Sequence, residues 1–196
     1  MEINFKEMVI NEFRFLEEIY SFSCVSTSQS MVRYESSEIF VSIRYDAKRS
    51  YELGIEIGQL KALFNGQERA FSLNEILRQH KSNKYNSYNT IQASSQKALA
   101  NSLKKMALLL SKYGANFLKN DLFAYKRLSD QREKECNEYE LKTKLSYIKS
   151  DAHIAWKQKD YKQIITLFEP VKDALSNTEL KKLNYAYKLV KKLEHP

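Results

Sequence analysis

The chain has 196 residues, 43% of them apolar, with only four glycines and two prolines, which excludes a collagenous, low-complexity or disordered polypeptide. A compact chain of this length buries roughly 70% of its unfolded surface and needs no covalent staple. Its two cysteines, Cys24 and Cys136, have the spacing of neither a disulfide framework nor a metal site. The net charge of +8 is unevenly spread: residues 1–75 hold eight Lys/Arg against twelve Asp/Glu, and residues 76–196 hold twenty-four against twelve.

The first residues, MEINFKEMVINEF, have no basic n-region and no apolar core. The longest apolar run, 106–110, is only five residues. Neither a signal peptide nor a membrane span is expected, nor a membrane partner; with the two thiols reduced, a cytoplasmic location follows.

Residues 4–20 predict one amphipathic helix, with Phe5, Val9, Phe13, Leu16 and Tyr20 on a stripe. Residues 21–35 predict one or two strands, with a turn near 26–30. The stretch 38–58, EIFVSIRYDAKRSYELGIEIG, is the clearest piece of structure. Ile39, Val41, Ile43 and Tyr45 alternate with Phe40, Ser42, Arg44 and Asp46; Tyr51, Leu53, Ile55 and Ile57 alternate with Glu52, Gly54, Glu56 and Gly58. Period-2 alternation implies a hairpin with one apolar and one wetter face. Pairing Tyr45 with Tyr51 places Ile43 against Leu53, Val41 against Ile55, Ile39 against Ile57 and Arg44 against Glu52. A sheet of three or four strands is expected.

Asn65-Gly66 signals a turn. Ser72-Leu-Asn-Glu75 fits a capping box opening a short helix to about His80. Residues 81–90, KSNKYNSYNT, read as a linker. From about residue 94 the chain turns helical. Leu99, Leu103, Met106, Leu110, Tyr113 and Phe117 form an a/d seam that needs a partner helix and ends at Asn120-Asp121. A helix over 122–128, a polar stretch 129–140, and helical stripes through Leu141–Ala155 and Tyr161–Val171 follow. Pro170 is expected to kink or end the last of these. Ser176-Asn-Thr-Glu179 is a second capping box, opening a helix with Leu180, Leu183, Tyr187 and Val190 inward. The fold class expected is α+β: an α+β domain over 1–80 with an antiparallel meander, a linker over 81–93, and an all-α array over 94–196.

Within the array, Lys157, Gln158, Asp160, Tyr161 and Phe168 in AWKQKDYKQIITLF resemble the tetratricopeptide repeat, across about residues 145–190. Lys159 stands where that family has Gly, Ile164 where it has Ala, and Asp151 where it has Leu. The resemblance implies a helical hairpin that binds a peptide or protein on its surface.

Signals for chemistry are sparse. His80, His153 and His195 share no ligand spacing with one another or with cysteine. Ser94-Ser-Gln-Lys97 has the Ser-x-x-Lys spacing of acyl enzymes but lacks their companion motifs, and helix capping accounts for it better. Glu52 and Glu56 share a strand face, where a cross-strand pair with Arg44 is the simpler reading. No catalytic residue, cofactor site or metal site is assigned. The candidate interaction surface comprises Arg44, Glu52, Glu56, Trp156, Tyr161, Tyr185 and Tyr187. Lys97, Lys104, Lys105, Lys112 and Lys119 form a basic stripe that could contact phosphates. The expectation is a non-catalytic module binding another protein, of a scaffold or immunity/antitoxin kind, with self-association through the helical half allowed. The alternative is a nucleic-acid binder using the basic half.

Overall fold

The computed structural model describes residues 4–80 and 91–194, with side chains through Lys192. Most of the expected linker, and His195, lie outside the described residues. The described elements are antiparallel strands and helices, so the chain is α+β. It forms two compact units, 1–130 and 131–196. The division expected at 81–93 therefore falls inside the first unit.

The first unit opens with two helices, α1 (Phe5–Glu12) and α2 (Phe15–Tyr20), where one was expected. The Leu16 amide donates to the Phe13 carbonyl, and this tighter turn lets both Phe13 and Leu16 point into the core. Strands β1 (Ser23–Thr27) and β2 (Met31–Glu35) fall on either side of the expected turn, which Ser28 closes by accepting from the Ser30 and Met31 amides.

β3 (Ile39–Tyr45) and β4 (Glu52–Phe64) form the central hairpin. Its register is two residues from the expected one: Tyr45 faces Leu53, Ile43 faces Ile55, Val41 faces Ile57, and Arg44 faces Gly54. The turn explains the shift. The Asp46 carboxylate accepts from the amides of Lys48, Arg49 and Ser50, and the Asp46 amide donates to Glu52. Tyr51 takes φ 55° and belongs to the loop instead of the strand. A slip of two preserves which side chains share a face, so the inward set is the expected one.

β4 also runs beyond Gly58 to the Asn65-Gly66 turn, where both residues have positive φ, and pairs with β5 (Gln67–Ser72). β6 (Ile91–Gln92) adds to the other end of β4, giving six strands among the described residues in place of three or four. The path is β1-β2-β3-β4-β5, antiparallel throughout. Ser72 and Glu75 form the expected capping box of α3 (Leu73–Gln79).

Helices α4 (Gln96–Tyr113), α5 (Ala115–Leu118) and the start of α6 (Leu122–Lys157) follow. The seam breaks at Gly114, not first at Asn120. A Cβ there would come within 2.6 Å of the Leu110 carbonyl oxygen and Cδ1, so a side chain at this buried turn would force its neighbours to shift. α4 packs on α1 and α3, which supply the partner the seam requires. One core joins Phe5, Val9, Phe13 and Leu16 to the inner strand face and to Leu99, Leu103, Met106, Leu110 and Phe117. The α4–α6 region is thus part of the sheet's own hydrophobic layer.

The segments expected at 122–128, 129–140 and 141–159 are one helix. Thirty-six residues without Gly or Pro, rich in Lys, Glu, Gln and Arg, sustain it. Gln131 donates to Glu135, and Lys134 lies 3.8 Å from Glu138, both at i,i+4.

The second unit holds the end of α6, α7 (Tyr161–Phe168), a 3-10 turn (Glu169–Ala174) and α8 (Asn177–Glu194). Pro170 ends α7 as expected. Ser176 and Glu179 cap α8 reciprocally, and Lys149 adds a 3.1 Å ion pair to Glu179. Ala152, Ala155, Ile164, Phe168, Leu175, Leu183 and Ala186 form its core. No helix among the described residues is long and apolar enough to cross a membrane.

Candidate interaction surface

The aromatic part of the expected surface is assembled by the turn between α6 and α7. The chain must reverse within three residues. Lys159 takes φ 59°, in the left-handed region that favours glycine, and Asp160 accepts from the Gln163 amide to start α7. This places Trp156 on one helix against Tyr161 on the next. Their ring centroids are 6.0 Å apart at 82°. Tyr185, from α8, closes the set at 5.7 Å from Trp156 and 5.9 Å from Tyr161. Tilted and edge-to-face contacts at such distances add about 0.5–1.5 kcal/mol per pair beyond burial. Lys182 Nζ lies 5.4 Å over the Trp156 ring. Trp156 and Tyr161 are half-buried, while Tyr185 remains 49% exposed. A shallow concavity of about 510 Å³ beside it is lined by Tyr185, Lys188, Leu189, Lys191 and Lys192.

Because a left-handed lysine is strained by about 1 kcal/mol, Lys159→Gly is expected to raise the second unit's stability by about that amount, read as a higher thermal midpoint. No change, or a loss, would show that the turn does not hold this conformation.

Tyr187 does not join the cluster. It was expected inward, but two residues past Tyr185 on a helix is 200° away, and Tyr187 is exposed. Its hydroxyl donates to Glu169, which pushes its pKa up.

Arg44, Glu52 and Glu56 sit in the first unit and are only partly brought together. Arg44 Nε lies 3.1 Å from Glu56, a diagonal pair, while Glu52 faces Gln92 of β6 instead of Arg44. The outer sheet face is also drier than its alternation suggests. Phe40 and Ser42 are buried, and the Arg33 guanidinium lies 4.2 Å over the Phe40 ring. Arg33 is held by Glu35 at 2.7 Å and by both oxygens of Glu68 at 2.7 and 2.8 Å. The sequence offers no signal for this, since Glu68 belongs to the unanticipated strand β5.

The hydrogen bonds from Arg33 hold the Glu68 carboxyl below the usual carboxylate range. A depressed folded-state pKa contributes stability above the unfolded value of about 4.3 and loses it as pH falls. The melting difference between wild type and Glu68→Gln should therefore shrink from pH 7 to pH 3; a constant difference would refute the coupling.

Lys97, Lys104, Lys105 and Lys112 are exposed along α4, and Lys119 is exposed beyond the Gly114 break. Lys112 Nζ lies 5.1 Å over the Tyr113 ring. Ser95 caps α4 by accepting from the Ala98 amide. His80 packs on Tyr113 at 4.9 Å, and His153 is exposed. Cys24 is half-buried, and burial with Glu17 nearby raises its thiol pKa; Cys136 is exposed. Among the described residues no group of three or more His, Cys, Asp or Glu could hold a metal ion.

No family model, curated protein or solved structure matches this chain.

Proposed function

We propose that this protein is a non-catalytic interaction module of the cytoplasm that binds another protein, in the manner of a scaffold or of an immunity protein masking a toxin. The observation that carries the reading is the Trp156–Tyr161–Tyr185 cluster with Lys182, which presents three aromatic rings and a cation at one surface of the second unit. Trp and Tyr are the side chains that most often dominate binding energy, because they bury large area with few rotatable bonds. The left-handed Lys159, at the position where the tetratricopeptide repeat places Gly, and the α6–α7 reversal support a repeat-like hairpin. Two unpaired cysteines support the compartment.

The test is capture from native lysate with wild-type protein and with Tyr185→Ala, whose half-exposed ring leaves the core of the unit intact. A stoichiometric protein partner should be retained by wild type and weakened about 30-fold or more by the substitution, as for a binding hot spot. Recovery of no stoichiometric protein, or equal recovery by both forms, would sink the proposal.

A further inference from the structure

A second surface lies on the part of α6 that belongs to the second unit. From Gln131 to Asp151 none of the described residues is buried. A helix in a folded protein draws most of its stability from an apolar face packed on a neighbour, and here such a face is present but uncovered. At 100° per residue, Cys136, Tyr139, Thr143, Tyr147, Ser150 and Ile154 fall within an arc of about 80°. No Asp, Glu, Lys or Arg from residue 133 to residue 154 falls in that arc, although the helix is densely charged elsewhere. Tyr139 is 71% exposed, Tyr147 70% and Ile154 51%. Ile148, Ala152 and Ala155, which pack in the core of the unit, face away from the arc. A shallow concavity of about 350 Å³ on the stripe is lined by Tyr139, Glu140, Thr143, Lys144 and Tyr147.

A helix that merely bridges solvent is polar all round and held by i,i+4 pairs of opposite charge. Such a pair, Lys134 with Glu138, accounts for a flank but not for two tyrosines and an isoleucine on an uncharged stripe. A face that contacts phosphates would carry cations in the stripe itself, and this one carries none from residue 133 to residue 154. The partner is chosen by how charge runs along the helix. Residues 131–140 hold four Glu against two Lys/Arg, and residues 142–157 hold four Lys against one Asp. A parallel pair of α6 helices would set the four glutamates of one copy beside the same four of the other; an antiparallel pair sets the acidic part of each against the basic part of the other. The stripe is also symmetric about Thr143, with Tyr139 and Tyr147 four residues to either side of it and Cys136 and Ser150 seven. A two-fold axis at Thr143 lays Tyr139 against Tyr147 of the other copy, twice, and brings Glu140 to about 3 Å along the axis from Lys144 of the other copy.

From the uncharged stripe and the run of charge we infer that a second copy of this chain covers the surface, the two α6 helices packing antiparallel about a two-fold axis at Thr143. Four tyrosine rings at about 150–250 Å² each, with Cys136, Thr143 and Ile154 around them, bring the contact to about the 1,000 Å² at which specific interfaces begin. Self-association at micromolar concentration is the corresponding expectation. Trp156 lies about 140° round the helix from Thr143, so this contact and the aromatic cluster can each be lost without the other.

Sedimentation equilibrium of the full chain should show a monomer–dimer equilibrium that weakens as salt screens the charges. Tyr139→Ser with Tyr147→Ser should weaken dimerisation about tenfold or more, while Tyr185→Ala leaves it unchanged. Glu140→Lys alone should weaken it, and Glu140→Lys with Lys144→Glu should restore it, because the exchanged charges still face each other across the axis. All these positions are exposed, and equal thermal midpoints in dilute solution confirm the fold; Tyr139→Gln with Tyr147→Gln replaces the serine pair if its midpoint drops. Orientation is read by oxidation. In the antiparallel pair the two Cys136 residues stand about 21 Å apart along the axis, beyond the reach of a disulfide, whereas a form carrying Cys136→Ser and Thr143→Cys should be linked across the axis. A chain that stays monomeric up to about 100 μM overturns the inference, whatever else binds the stripe. So does a dimer indifferent to the tyrosine substitutions, or a disulfide between the two Cys136 residues with none at position 143.

Discussion

A fragment ending at residue 80 is expected not to fold, whereas one ending at residue 130 is expected to fold cooperatively. The reason lies in what covers the inner face of the sheet. Truncation at 80 removes Leu99, Leu103, Met106, Leu109, Leu110, Phe117, Leu118, Tyr125 and Leu128, all buried in the core that also contains Phe5, Val9 and the strands. At about 1.5–3 kcal/mol for each large side chain, the loss is on the order of 15–25 kcal/mol, more than the about 5–15 kcal/mol by which domains are stable. Circular dichroism melts and the dispersion of amide proton resonances give the answer. A cooperative melt with dispersed amides from the 1–80 fragment would show that the sheet and the first three helices carry their own core.

Gly58→Val is expected to destabilise the protein by about 3 kcal/mol, equivalent to a midpoint lowered by about 10 °C for a chain of this size. Gly58 lies between Phe40 and Ala70 on neighbouring strands. A Cβ there would come within 2.7 Å of the Arg69 carbonyl oxygen and of two atoms of the Phe40 ring. Phe40 cannot swing away cheaply, because the Arg33 guanidinium lies 4.2 Å above it and is itself clamped by Glu35 and Glu68. The backbone oxygen cannot move without disturbing β5. Valine's preference for strands recovers only part of this, of order 1 kcal/mol. Gly54 is the internal control. It is on the same strand, but nothing lies within 4 Å of its Cβ position, so Gly54→Ala should be neutral or stabilising by about 0.5–1 kcal/mol. If the two substitutions shift the midpoint equally, the Phe40 contact is not what makes Gly58 necessary.

Both predictions rest on contacts that a linear pattern does not display, and this marks the boundary of what sequence reading reaches here. The inward side chains of β3 and β4, the α3 and α8 capping boxes, the Asn65-Gly66 turn and the stop at Pro170 are all local. Each depends on side-chain alternation, on a hydrogen bond within four residues, or on a backbone angle one residue prefers, so the sequence alone determines them. The candidate site divides the same way. Trp156 and Tyr161 lie five residues apart on either side of a turn that the repeat resemblance implies, but Tyr185 joins them, and Tyr187 does not, only through the packing of α8. The hairpin register depended on Asp46 and Tyr51, whose loop geometry alternation does not encode. The tertiary structure alone decided that α4 closes the sheet's core, that Glu68 reaches Arg33 across the sheet, and that Tyr139 and Tyr147 stand exposed on α6. The physical reason is common to all three: burial is settled by partners distant in the chain, and period and spacing say that a face is apolar or charged without saying what lies against it.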